Sequence, residues 1–194
     1  MPPFTKPTIN LSPDISLTDL LWDDRHALVK YLNDPEISRN TLSIPYPYTA
    51  ADADWWYHKI HAFEAEHHRP KEWAIRHLPS NELIGGIGIT YSAHYGINNT
   101  YENGIGYWLA KPYRGQGIVT QAVVALCNYM FEVLKYQRIN AFAYLHNIGS
   151  QRVLEKAGCE QGAIKPSFLT KDGLPIDVVA FKKMAVQKNI NMPD

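Results

Sequence analysis

A mixed α/β fold, α+β or α/β around one central sheet, is predicted by three features of the chain. Short β-like runs alternate with longer runs of helical period, so strands and helices are interleaved along the sequence. One strand-like run, Gly104-Ile105-Gly106-Tyr107-Trp108-Leu109, leads through a Gly-rich turn into an apolar-periodic stretch over 119–134. The length, 194 residues of which 45% are hydrophobic, suits a single domain with a real core. We divide the chain into an extended, Pro-rich N-terminal arm (1–13), one domain (14–184) and a C-terminal tail (185–194).

In chain order, residues 14–20 read as a first strand. Residues 23–33 read as a short helix with Leu28, Val29 and Leu32 inward, ended by Asp34-Pro35 because the residue before proline avoids the helical region. Residues 36–40 add one helical turn, and Ile44-Pro45-Tyr46-Pro47-Tyr48 is a rigid aromatic loop. Thr49 with Asp52 resembles a capping box with a shortened acid and opens a helix to about Glu66. Residues 73–77 and 83–91 are strands joined by Pro79-Ser80-Asn81; Gly85, Gly86 and Gly88 in the second mark a bulge or a close backbone approach. A polar loop over 92–101 precedes the strand at 104–109. In the following helix Val119, Ala122, Val123, Leu126, Met130 and Val133 form one buried stripe. Residues 139–145 form a strand buried on both faces. Asn147 caps a helix over 149–157, and Gly158 stops it in the left-handed conformation. Residues 159–170 and 176–184 close the fold as a hairpin across Asp172-Gly173.

Composition excludes several functions. Nineteen basic residues balance nineteen acidic ones, so no broad nucleic-acid or membrane surface is expected, and the aromatic residues lack the basic stripe that base stacking needs. No apolar run approaches the roughly 20 residues that span a bilayer, and the first six residues lack the apolar core of a signal peptide. Two cysteines, Cys127 and Cys159, offer at most one bridge, and Cys127 falls within a helix, which favours a reduced, cytoplasmic chain. His58 and His61 have a spacing that zinc sites use, but no nearby Cys, Asp or Glu completes a motif, so a surface helix is expected and no metal.

The turn over 111–117 carries the chemistry. Glycines let backbone N–H groups approach a ligand, and the helix start adds unpaired donors and the positive dipole end, a cradle for phosphate or pyrophosphate. A Walker loop needs Lys and Ser or Thr after its last glycine, whereas Ile118-Val119-Thr120 follows here. A dinucleotide fingerprint needs three glycines in register, and only Gly115 and Gly117 are present. A plain strand-to-helix turn is the remaining alternative.

The run from Tyr107 through Lys111-Pro112-Tyr113-Arg114-Gly115-Gln116-Gly117 resembles the acetyl-CoA loop of the GNAT superfamily of N-acetyltransferases, Arg/Gln-x-x-Gly-x-Gly/Ala; Arg114 and Gly117 match, and Val119 stands where Gly or Ala is usual. Asn147-x-x-Ser150, followed by Val153-Leu154-Glu155-Lys156-Ala157-Gly158, resembles the second cofactor-contacting segment. The early stretches 31–36 and 44–49, with Trp55, are similar to the branch that holds the ribosomal-protein N-terminal alanine acetyltransferases and small-amine acetylators. The resemblance covers about residues 15–184.

It implies a central, mostly antiparallel sheet splayed at the cofactor site, with helices on both faces, and acetyl-CoA as co-substrate. Backbone groups of Gly115, Gln116, Gly117, Ile118, Val119 and Thr120 would cradle the pyrophosphate, with charge from Arg114 and a hydroxyl from Thr120. Trp108, Leu109 and Ala110 would offer a strand edge to the pantetheine arm, and Asn147 would face that arm or the acetyl end. Val153 lies on the same segment, and Lys156 either reaches the nucleotide end or is a solvated surface lysine. Ser150 either protonates the leaving thiolate or is a helix residue bonded to Asn147. Relatives often carry a Glu where this chain has Gly104; Glu102 is the substitute candidate, acting through a water, or is an exposed loop acid. Position 181 is Phe181 where a Tyr could donate a proton, so the base is unassigned. Trp55, Trp56, Tyr57, Tyr46 and Tyr48 divide between core packing and a wall of the acceptor cleft. The implied activity is acetyl transfer to a primary amine, a peptide N-terminus or a small molecule, by direct attack in a ternary complex. The alternative is a non-catalytic acyl-CoA-binding or sensing domain. The protein is expected to be a monomer or homodimer.

Overall fold

A computed structural model describes residues 5–90 and 104–186. They form an eight-stranded sheet of order β1-β2-β3-β4-β5-β6-β8-β7, antiparallel except between β5 and β6. The first half comprises β1 (Ile9–Asn10), β2 (Ile15–Thr18), α1 (Arg25–Leu32), α2 (Pro35–Asn40), α3 (Ala50–His67), β3 (Glu72–His77) and β4 (Glu82–Thr90). The second comprises β5 (Gly104–Leu109), α4 (Ile118–Glu132), β6 (Arg138–Tyr144), α5 (Ile148–Lys156), β7 (Glu160–Lys171) and β8 (Leu174–Met184).

Local chemistry sets most boundaries. Thr49 accepts from the Asp52 N–H at 3.3 Å while Asp52 accepts from the Thr49 N–H at 2.7 Å, so the shortened capping box starts α3 as expected. Asp34 accepts from the Glu36 N–H at 2.9 Å and Pro35 opens α2. Gly158, at φ 78°, ends α5, and Asp172 (φ 51°) with Gly173 (φ 78°) makes the two-residue β7–β8 turn.

Strand alternation divides the core between the two faces. Trp73, Ile75, Ile87, Ile89 and Ile105 pack against Ile118, Ala122, Val123, Leu126 and Met130 of α4. Ala74, Leu83 and Trp108 pack on the other face against Leu28 and Leu32 of α1, Ile37 of α2 and Ala53 of α3. Helices therefore cover both faces, as expected.

Four expectations are corrected. The strand expected over 14–20 is shorter and belongs to a small hairpin: Ile9 pairs with Leu17, and Ser12 accepts from the Ile15 N–H at 3.1 Å to reverse the chain. The helix expected from residue 23 begins with a tight turn, Trp22–Asp24, because Asp24 accepts from the Leu21 N–H at 2.7 Å. Val133 leaves the buried stripe, 58% exposed, because α4 ends at Glu132. Ile139, Asn140, Ala141, Ala143 and Tyr144 of β6 are buried, but Leu145 is exposed. The loop over 92–101 and Glu102 lie outside the described residues.

Candidate active site

The site begins as a gap in the sheet. β5 and β6 share one pair, Gly104 with Asn140, and then diverge. β4 occupies the other edge of β5, and β8 pairs with β6 from Arg138 to Tyr144. The facing edges of β5 and β6 are thus the ones whose backbone donors and acceptors look into a cleft of about 1000 Å³.

At one end of the gap the Ala110 N–H donates to Ile84 O at 2.8 Å, ending β5, and a tight turn at Lys111–Tyr113 leads to two left-handed glycines, Gly115 (φ 80°) and Gly117 (φ 78°). A Cβ on either would meet no atom within 4 Å, so these glycines border open space at the start of α4. The first N–H groups of an α-helix have no partner within it, and those of Ile118, Val119 and Thr120 sit at the cleft wall. A helix start that opens on free space in this way suits a diphosphate.

Arg114 lines the cleft, and its donors are engaged within the protein. Its guanidinium donates to Glu36 at 2.8 Å and Asp34 at 3.0 Å, and its Nε donates to Leu109 O at 3.1 Å. Two carboxylates already balance its charge, so Arg114 clamps the loop to α2. Gln116 turns back toward Pro112 O at 3.4 Å, and Ala110 is fully buried; neither lines the cleft, whereas Trp108, Leu109, Gly115 and Gly117 do.

At the other side Asn147 accepts from the Ser150 N–H at 3.0 Å and caps α5. The Ser150 hydroxyl lies 2.7 Å from the Tyr107 hydroxyl, which also donates to Ser150 O at 3.3 Å. The expected bond between Ser150 and Asn147 is thus present through the Ser150 amide, and the Ser150 hydroxyl is oriented by Tyr107. Burial pushes the Tyr107 phenol up, against the Ser150 hydrogen bond, so it stays protonated. Val153 and the exposed Lys156 extend the cleft along α5. Tyr107 escaped the sequence reading because its partner lies 43 residues away.

The gap continues across the sheet to the α1–α3 face. Gly86, Gly88, Gly104 and Gly106 form its floor, Tyr48, Trp55 and Trp56 a wall, and Glu72 an edge. Glu72 was also missed; the one signal was an acid immediately before an apolar strand. Trp56 Nε1 donates to its carboxyl at 3.3 Å. Burial pushes the carboxyl up to about 7, opposed by the Trp56 hydrogen bond and by Lys6 and Lys71. Lys6 Nζ donates to Glu72 O and to the Glu64 carboxylate, and pairs with Asp19 at 3.0 Å. Asp19, His61 and Glu64 cluster within 4.8 Å, but the Lys6 ammonium sits on both carboxylates and His61 Nε2 lies 2.9 Å from Leu20 O. That cluster is a lysine clamp. Phe181 is buried in the core beneath α4 and offers no hydroxyl.

The family model of the acetyltransferase (GNAT) domain matches residues 15–160. A Bacillus subtilis (strain 168) relative, the probable N-acetyltransferase YjcK, is 48% identical over 84 residues, 43% of this chain and 45% of that protein. The matched stretch therefore spans less than half of that relative. Ribosomal-protein-S5-alanine acetyltransferase from Vibrio fischeri superposes with a TM-score of 0.77 at 16% identity, covering 92% of this chain and 97% of that one. RimJ from Mycobacterium smegmatis superposes with a TM-score of 0.76 at 20% identity, covering 93% and 86%. The family match reaches from β2 to the first residue of β7 and takes in the divergent β5–β6 pair and the cradle beside it: the chain belongs to the GNAT acetyltransferase family.

Proposed function

We propose that the protein transfers the acetyl group of acetyl-CoA to a primary amine, a peptide N-terminus or a small molecule, by direct attack in a ternary complex. The observation that carries this reading is the single Gly104–Asn140 pair, beyond which two strand edges and a helix N-terminus face one cleft. The fit to coenzyme A is chemical. The donors of residues 115–120 and the open space at Gly115 and Gly117 suit a pyrophosphate, and the bare edge of β5 suits an amide-bearing arm. The RimJ neighbour was solved with a CoA disulfide, which supports the same reading.

Bound there, acetyl-CoA would supply an activated acyl thioester. Cleavage of a thioester leaves a thiolate, and the Ser150 hydroxyl, oriented by Tyr107, is the proton source on the α5 side. Juxtaposing the two reactants in one cleft supplies much of the acceleration. The aromatic wall formed by Tyr48, Trp55 and Trp56 suits an acceptor with an apolar body, and Glu72 and Asp52 in the same cleft suit an amine arriving as its cation.

Acetyl-CoA at about 100 times its Kd should add ~2.7 kcal/mol to unfolding, a thermal shift of about 5–10 °C. Gly117→Asp, which places a charge in the cradle, should remove the shift; an unchanged shift refutes the cradle. Thiol release from acetyl-CoA, measured across peptides with free N-termini and alkylamines, tests transfer. Binding without turnover on any acceptor would establish the alternative, an acyl-CoA-binding domain.

A further inference from the structure

Transfer to an amine needs a group that takes the amine proton, and the strand that faces the gap carries none among the described residues. Gly104 and Gly106 occupy the positions of β5 that point to the acceptor side. At Gly104 a Cβ would lie 2.1 Å from Thr90 Oγ1, so any side chain there would have to turn the Thr90 hydroxyl aside. The register shows where an acid does lie on that face: Gly106 pairs with Gly88, and Gly88 pairs with Glu72. Gly106 leaves the trough on this face open, a Cβ there meeting nothing nearer than Thr90 Cγ2 at 3.6 Å, while over Gly88 the Lys71 carbonyl closes to 2.6 Å of a Cβ and the trough ends at the Glu72 side chain. Two strand spacings put the Glu72 and Gly106 Cα atoms about 10 Å apart. The Glu72 carboxyl lies over Gly86 of β4, so about one strand spacing separates it from β5, where an amine or a bridging water fits. The carboxyl is seated for this position: its Oε1 accepts from Trp56 Nε1 and lies 2.9 Å from where a Gly86 Cβ would be, beside the Trp108 indole N–H. A side chain at Gly86 would therefore displace it. Glu64 fixes the strand beneath, accepting from the Lys71 N–H at 2.8 Å and the Glu72 N–H at 3.3 Å.

We propose that Glu72 is the general base, a catalytic carboxylate delivered from β3 across the glycine trough in place of one on β5. The inference rests on the acetyltransferase reading above. Glu72 takes the proton of the attacking amine, directly or through a water. The nitrogen lone pair forms the C–N bond, the C–S bond breaks, and the departing sulfur takes a proton from the Ser150 hydroxyl. The second proton, shed by the nitrogen as the amide forms, returns to Ser150 through water, and Glu72 releases its proton to solvent, so atoms and charge balance. The charged and titratable groups around Glu72 are Lys6 from the N-terminal arm, Tyr48 before α3, Glu64 of α3 and Lys71 of the loop before β3. Their net effect with burial leaves the carboxyl ionised just above neutral pH, where a base is useful.

The test compares wild type with Glu72→Gln, which keeps the shape and the acceptor atom for Trp56. Three amines are used: the tetrapeptide Ala-Ala-Ala-Ala, phenethylamine and hydroxylamine, the last already neutral at pH 7. Glu72→Gln should lower kcat with the peptide and with phenethylamine by about 10²–10⁴-fold. It should also remove the inflection near pH 7 in kcat/KM and lose far less with hydroxylamine. Protection by acetyl-CoA against thermal unfolding should match the wild type. Equal loss with all three amines assigns Glu72 a packing role and overturns the proposal, as does turnover equal to the wild type. Acetyl-CoA binding without wild-type turnover of any of the three overturns the acetyltransferase reading and the base with it. Wild-type turnover that persists in Glu72→Gln overturns the base alone.

Discussion

At the scale of single residues, the buried charges divide into those that hold the fold and those that face the cleft. Arg76 is of the first kind. It grips Asp24 through two hydrogen bonds of 2.9 and 2.7 Å, and its remaining donors reach Thr18, Asp19 O and Asn81 O. Removing one partner strands the other away from water. Asp24→Ala should therefore cost about 3–5 kcal/mol, read by urea denaturation, while acetyl-CoA still binds the folded fraction. Ser150, an uncharged and partly buried side chain, faces the cleft. Ser150→Ala should lower kcat by about 10²-fold with little change in KM for acetyl-CoA. Tyr107→Phe, which loses only the orienting hydrogen bond, should cost less; an equal or larger loss would make Tyr107 the proton donor. Asn-x-x-Ser is a local spacing and can be read from sequence. The hydroxyl that orients Ser150 comes from another strand, and no local rule points to it.

At the scale of elements, the helix starts do different work. The start of α3 is closed by its own chain through Thr49 and Asp52. The Thr49 hydrogen bonds hold the Asp52 carboxyl below its ordinary value, so the cap is complete above the unfolded pKa and is lost as pH falls through the folded one. Thr49→Ala should cost about 1 kcal/mol at pH 7 and less at pH 3, measured by thermal unfolding at both. The start of α4 is left open: Gly117 at its N-cap has no side chain to accept from the first N–H groups. An uncapped helix at a cleft is the element-scale signature of an anion site. The strand–turn–helix pattern and the two glycines made this start legible in sequence. The partners of Arg114 on α2, 80 residues earlier, were not.

At the scale of the whole molecule, the site has a cost in stability. Glu72 titrates near 7 in the fold and near 4.5 unfolded. Below pH 4.5 both states are protonated and burial costs nothing. Between 4.5 and 7 the folded state keeps a proton that the unfolded state loses, so stability falls as pH rises, and the loss levels off above 7. Glu72→Gln should therefore raise the melting temperature at pH 8 but not at pH 4, checked by calorimetry at both values. An equal gain at both would place the effect elsewhere. A stabilised variant that has lost turnover is the trade-off expected if the buried carboxyl serves catalysis.

Local rules act over a few residues, and that is how far the sequence alone reached. Helical period, capping residues and Gly turns determined the element types, the Gly-rich turn that opens α4 and the capped Asn147–Ser150 turn. The resemblance carried by those segments named the family. Only the tertiary structure decided how the sheet opens, because a pair that stops after Gly104 and Asn140 depends on strand register and twist rather than on composition. The same register carries Glu72 to the end of a glycine trough, and tertiary packing brings Trp56 of α3 and Lys6 of the N-terminal arm to it. A period-2 pattern says which face a residue takes; it does not say which residue of another strand lies beside it.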